Sequence, residues 1–167
     1  MSTLKLPIDA VARRRLPILL RHAWYGLNQA FRRQIAHLEL TPDQYTALRT
    51  LYEHDGITQK ALARFMASDP NTIASLLERM ETSGFVTRQK DRRDRRARRL
   101  SLMPAGKRKF QAARDLAQGL QDQVISVLPV EEREGFLSQL ASIAEACRAA
   151  SDFSQRPKSR PDKVVNR

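Results

Sequence analysis

The chain has 167 residues, of which 30 are Lys or Arg and 18 are Asp or Glu, giving a formal net charge of +12. A hydrophobic content of 41% is enough for a packed core and excludes wholesale disorder, while Cys147, the single cysteine, excludes a disulfide scaffold. No apolar run approaches the ~20 residues of a bilayer span, and the N-terminus lacks a secretory pattern. The expectation is a soluble, basic, intracellular protein of one domain, or of two small units sharing a core.

Residues from Asp9 to Leu38 read as one long helix, with Leu16, Leu20, Ala23, Leu27, Phe31 and Leu38 recurring on one face. Pro17 either kinks that helix or marks its true first turn. Thr41-Pro42-Asp43 is a sharp second start: Thr41 is placed to cap, Pro42 to occupy the first helical position and Asp43 to complement the dipole. This helix is predicted to run to His54, burying Tyr45, Leu48 and Leu51, with Asp55-Gly56 ending it. Thr58 caps a short third helix that buries Leu62, Ala63 and Met66. After the turn at Ala67-Ser68, Asp69-Pro70 repeats the cap-plus-proline start. A fourth helix then runs to Ser83 with Ile73, Leu77 and Met80 inward, and Gly84 suits a left-handed C-terminal cap.

Phe85 to Arg88 and Arg99 to Leu102 read as two short strands. Between them Lys90 to Arg96 has no apolar residue, so it is expected to project. Pro104 opens a fifth helix with the stripe Phe110, Ala113, Leu116, Leu120 and Val124. Pro129 breaks it, and a sixth helix carries Leu137, Leu140, Ile143, Ala144 and Cys147. Residues 154–167 are expected to form a flexible basic tail.

The charge is focused. Residues 85–109 hold 11 basic and 2 acidic residues, net +9, whereas residues 110–153 are net −4. Concentrated positive potential attracts polyanions. Two helices joined by a tight turn and followed by a hairpin with a basic tip form a winged helix-turn-helix. The overall class is thus mainly α with a small β-hairpin wing. A B-form major groove admits one helix, and the fourth helix offers Asn71, Thr72 and Ser75 at its start, small enough to approach base edges. The hairpin tip has the reach to enter a flanking minor groove, where arginine is favoured. The alternative for a charge run is a solvated face.

Thr58-Gln59-Lys60-Ala61-Leu62-Ala63, Thr72 to Glu81 and Gly84-Phe85-Val86-Thr87-Arg88 resemble the MarR (multiple antibiotic resistance regulator) family. So does the wing, Asp91-Arg92-Arg93-Asp94-Arg95-Arg96 followed by Leu100-Ser101-Leu102-Met103-Pro104-Ala105-Gly106, which is similar to the family pattern D-x-x-D-x-R…L-x-L-T-x-x-G. The resemblance covers residues 10–150. It implies that Arg96 enters the minor groove and that Asp94 orients it. It places Asn71, Thr72 and Ser75 on the recognition helix, with Arg79 contacting phosphate or pairing within its helix. Arg92, Arg93, Arg95, Arg98 and Arg99 are then phosphate contacts or solvated charges. Met103 stands where the family has threonine, removing a helix cap worth about 1 kcal/mol.

The terminal helices carry more apolar surface than a ~60-residue winged domain can cover. The resemblance implies a homodimer in which residues 9–40 and 104–150 form a helical dimerisation region around a winged domain at 41–103. It implies a repressor held on double-stranded DNA at a pseudo-palindromic operator, cytoplasmic and associated with the bacterial nucleoid. Release would come from a small aromatic or N-heteroaromatic acid, such as a hydroxynicotinate-type effector. His22, Trp24, Tyr25 and Gln29 on the first helix and Arg49 on the second are the candidate effector contacts, the competing reading being ordinary packing or a dimer-interface histidine. Cys147 reads as core or interface filler. His22, His37 and His54, 15 and 17 residues apart, lack metal-ligand spacing, so no metal and no cofactor are expected. No catalytic motif points to an enzyme. An effector-independent architectural DNA binder is the alternative.

Overall fold

Three successive helices begin where a side-chain oxygen takes over backbone N–H groups that the helix leaves unpaired. The Thr41 hydroxyl accepts from the Gln44 N–H at 3.2 Å while the Gln44 side chain accepts from the Thr41 N–H at 2.9 Å, a reciprocal capping box. The Thr58 hydroxyl accepts from the Ala61 N–H, and the Asp69 carboxylate from the N–H groups of Asn71 and Thr72. These caps open α2 (Pro42–Glu53), α3 (Gln59–Phe65) and α4 (Pro70–Thr82). The computed structural model describes residues 15–90 and 98–154. Around the capped helices run α1 (Leu16–Ile35), the strands β1 (Val86–Lys90) and β2 (Arg98–Leu102), α5 (Pro104–Ile125) and α6 (Val130–Ser154). This is the mainly helical, winged architecture expected from the sequence.

The chain forms two units, one up to Gln121 and the other from Asp122 onward. In the first, α4 packs on α2, α3 and β1, and its buried Ile73, Leu76, Leu77 and Met80 share one core with Leu48 and Leu51 of α2, Leu62 of α3, Val86 of β1 and Leu100 of β2. The same core takes in Phe31 and Ile35 from the end of α1 and Phe110, Ala113 and Leu120 from α5. Tyr45 stands edge-on to Phe31 at 4.8 Å between ring centres and stacks with Phe110 at 5.8 Å, joining α1, α2 and α5. The two antiparallel strands pair Val86 with Leu102 and Arg88 with Leu100. The segment between α2 and α3 adds to the β2 edge: Leu100 exchanges backbone hydrogen bonds of 2.9 Å with Gly56 and Ile57, and Arg99 donates to the Gly56 carbonyl at 2.8 Å.

Pro17 occupies the first turn of α1 rather than kinking it, and Arg15 precedes the helix without a side-chain cap. The helical reading to Leu38 is corrected in its last turn: α1 ends at Ile35, and Ala36–Leu38 form a 3-10 turn closed by Glu39 at φ 52. Lys109 reaches this corner from α5 and donates to the Leu38 carbonyl at 2.6 Å. Of the stripe expected to face inward on α1, only Phe31 is buried, and Leu16, Ala23 and Leu27 stay exposed. The φ of 69° at Gly84 matches the expected C-terminal cap.

In the second unit, the Arg133 guanidinium donates to the Leu128 carbonyl at 3.0 Å ahead of α6. None of the α6 residues Val130 to Ser151 is buried; Leu140 and Ile143 are half-buried, and Leu137, Ala144 and Cys147 are exposed. Cys147 is therefore not core filler within its own chain. Among the described residues no helix is long and apolar enough to cross a membrane.

Candidate nucleic-acid interface

The buried residues of α4 leave the opposite side of the helix to solvent, and Asn71, Thr72, Ser75 and Arg79 all lie there, exposed. Spacings of one, three and four residues put them on adjacent turns. The cap conditions the first of these turns. The Thr72 hydroxyl donates to the second Asp69 oxygen at 2.5 Å, and this bond, with those from the Thr72 and Asn71 N–H groups, holds the Asp69 carboxyl below the usual carboxylate range. With its proton committed to Asp69, the Thr72 hydroxyl offers acceptor lone pairs outward, suited to an amino group on a base edge. The side chains of Asn71 and Ser75 make no hydrogen bond within the described residues, nor does that of Arg79, so the intrahelical pairing considered for Arg79 is not formed.

The hairpin joins α4 through a contact that the sequence reading missed. Glu81 in the last turn of α4 binds Arg88 of β1 by both its backbone N–H and its guanidinium. The Arg88 guanidinium holds the Glu81 carboxyl below the usual carboxylate range. Opposite charges seven residues apart across a glycine turn match no helical spacing rule, which is why the pair escapes sequence inspection. Arg99, expected to be a phosphate contact or a solvated charge, instead donates to the Gly56 carbonyl. Asp94, Arg95 and Arg96, together with Arg92 and Arg93, lie outside the described residues, as does the expected tail from residue 155 onward.

Of the candidate effector residues, four lie on α1 and Arg49 lies on α2. His22, Trp24 and Tyr25 are exposed on α1 and Gln29 is half-buried. Arg49 is engaged by Glu53 one turn later at 2.9 Å. Trp24 alone lines a hollow of about 230 Å³ beside α4, together with Asp43, Met66, Thr72, Leu76 and Arg79.

The MarR family model matches residues 40–97, the span from the first cap through the wing. The transcriptional regulator HosA of Escherichia coli is 32% identical over 124 residues, covering 71% of this chain and 92% of that protein. Among solved structures, the transcriptional repressor CouR bound to a 23-mer DNA duplex superposes with a TM-score of 0.73 at 26% identity, covering 84% of this chain and 99% of CouR. Bordetella bronchiseptica BpsR, whose DNA binding is regulated by 6-hydroxynicotinic acid, shares the fold with a TM-score of 0.72 at 21% identity, covering 78% of this chain and 99% of that one. These relatives are regulators rather than enzymes. With the helix-turn-helix, the hairpin and the 32% identity to HosA over 92% of that protein, the conclusion is that this chain belongs to the MarR family and is a DNA-binding transcriptional regulator.

Proposed function

We propose that the protein works as a homodimeric repressor that leaves a pseudo-palindromic operator when it takes up a small aromatic or N-heteroaromatic acid. The observation that carries this reading is apolar surface left in water. Leu16, Ile18, Leu19, Trp24, Tyr25 and Leu27 of α1 are exposed in the single chain, and so are Phe136 and Leu137 of α6. Patches of that kind mark association surfaces, and a two-fold dimer presents two recognition helices to successive major grooves. In this reading residues 9–40 and 104–150 serve dimerisation and 41–103 serve DNA.

On each half-site Asn71, Thr72 and Ser75 address base edges and Arg79 a phosphate. Arg96, oriented by Asp94, enters the minor groove, with Arg95 on the backbone. The acid shifts the population toward a conformation whose recognition helices are misspaced for DNA. Support for an aromatic acid comes from BpsR and from Trp24 and Arg79, which offer a ring face and a cation in one hollow. His22, Tyr25, Gln29 and Arg49 are the further candidate contacts, reached with the partner chain in place.

The test joins sedimentation equilibrium with DNA titration. A dimer at micromolar concentration is expected. So are a steep negative slope of log K against log salt and loss of DNA affinity on adding 6-hydroxynicotinic acid or 4-hydroxybenzoate. A monomer overturns the dimeric reading. A dimer that binds duplexes without sequence preference and ignores both acids is the architectural alternative.

A further inference from the structure

Arg88 is held twice by the same carboxylate. Glu81 Oε1 accepts from the Arg88 backbone N–H at 3.1 Å, and Glu81 Oε2 accepts from Arg88 Nε at 2.6 Å, with the Arg88 terminal nitrogen completing the ion pair. The two side chains are only 22% and 31% exposed, so solvent competes less than it does at the surface. Arg88 stands opposite Leu100 in the hairpin, and Leu100 is fully buried. Further along the same strands Lys90 faces Arg98. Like charges directly opposite each other disfavour strand pairing, so the hairpin carries electrostatic strain that an acid at its base offsets.

We infer that Glu81 is a positioning residue for DNA recognition: by gripping both the main chain and the guanidinium of Arg88, it fixes the hairpin to α4 so that the two elements meet DNA at a set spacing. A hold on one atom allows the strand to pivot, whereas a charge-assisted hold on two atoms of one residue sets its direction. The inference rests on α4 and the hairpin facing the same duplex.

The sign of the effect separates this role from simple electrostatics. Glu81 is an acid bound to Arg88 and within the field of Arg98. Were it only a local negative charge, its removal would raise the positive potential and tighten binding to any DNA. As an anchor, its removal weakens binding where register matters and spares binding where it does not.

The experiment uses the full chain carrying Glu81→Gln. The probes are a duplex of about 30 base pairs, three helical turns, enriched from a random pool by the unchanged protein, and a scrambled duplex of equal length. The expected result is a loss of about tenfold in affinity for the enriched duplex. Affinity for the scrambled duplex stays unchanged or rises, the melting temperature moves by only a few degrees, and the exchange Glu81→Arg with Arg88→Glu recovers part of the loss. Undiminished affinity for the enriched duplex overturns the proposal, and so does an equal loss on both duplexes. If the unchanged protein enriches no sequence, the reading of α4 and the hairpin as a shared surface fails first.

Discussion

Helices α4 and α6 are both amphipathic, yet they spend their apolar residues differently. In α4, Ile73, Leu76, Leu77 and Met80 are all buried within the chain; in α6, Phe136 and Leu137 are 43% and 44% exposed and no described side chain is buried. Periodicity identifies a helix with an apolar side but not whose surface will cover it. For α4 the cover is α2, α3 and β1 of the same chain. For α6 we propose that it is a second copy.

Truncating one leucine on each helix separates a core role from an interface role. Leu77→Ala removes a fully buried side chain and should destabilise the protein by about 2–5 kcal/mol in urea unfolding, at every protein concentration. Leu137→Ala should cost nothing comparable in dilute protein, and instead raise the concentration at which the dimer dissociates. Equal, concentration-independent losses from both would remove the distinction between a core helix and an interface helix.

A smaller effect sharpens the same point within α5. A Cβ added at Gly106 would sit 2.2 Å from the Phe85 carbonyl oxygen and 3.0 Å from its carbon, both main-chain atoms, while one at Gly119 would meet nothing within 4 Å. The Phe85 carbonyl also accepts from the Met103 N–H at 2.9 Å, so it is not free to move away. Gly106→Ala is expected to cost about 1–3 kcal/mol by overpacking. Gly119→Ala should raise stability by up to about 1 kcal/mol through helix propensity alone. Thermal unfolding of the two variants should move in opposite directions.

These cases show what was legible in the sequence. Thr41, Thr58, Asp69 and Gly84 announced their helix ends because capping is chemistry among residues two to four apart, and all four act as read. Gly106 was visible as part of a motif, but its reason was not: the constraint is a carbonyl 21 residues upstream, brought close only by the hairpin. Leu76 was missed because a strict stripe of 73, 77 and 80 is narrower than the apolar side that the core uses. The contact of Gly56 and Ile57 with β2 and the grip of Glu81 on Arg88 are likewise tertiary events without a local signature. On the DNA-facing side, the sequence supplied Asn71, Thr72, Ser75 and Arg79, which share one exposed side of α4. It did not supply the hydrogen bond that turns the Thr72 hydroxyl into an acceptor. Of the candidate effector residues, His22, Tyr25 and Gln29 fall on one stripe of α1, Trp24 lies about 100° round the helix from Tyr25, and Arg49 is on α2, a spread across two helices that no local spacing rule joins.

The smallest effect concerns acid. Arg88 holds the Glu81 carboxyl below its ordinary value, so the folded state binds that proton less readily than the unfolded chain does. The resulting stabilisation is fully present above the unfolded value near pH 4.3 and is lost as pH falls through the lower native one. Because the pair is partly exposed, the loss should not exceed about 1 kcal/mol. Asp69, depressed by its bonds to Thr72 and Asn71, is lost in the same direction, so the wild-type protein alone cannot separate the two. Glu81→Gln can: between about pH 6 and pH 3, a window bracketing the carboxylate range, its urea midpoint should fall less than that of the unchanged protein. The remaining fall is then the share of Asp69 and the other acids. Identical slopes would mean that the carboxylate at the foot of the hairpin is not engaged in solution, and α4 and β1 would then be joined by apolar packing alone.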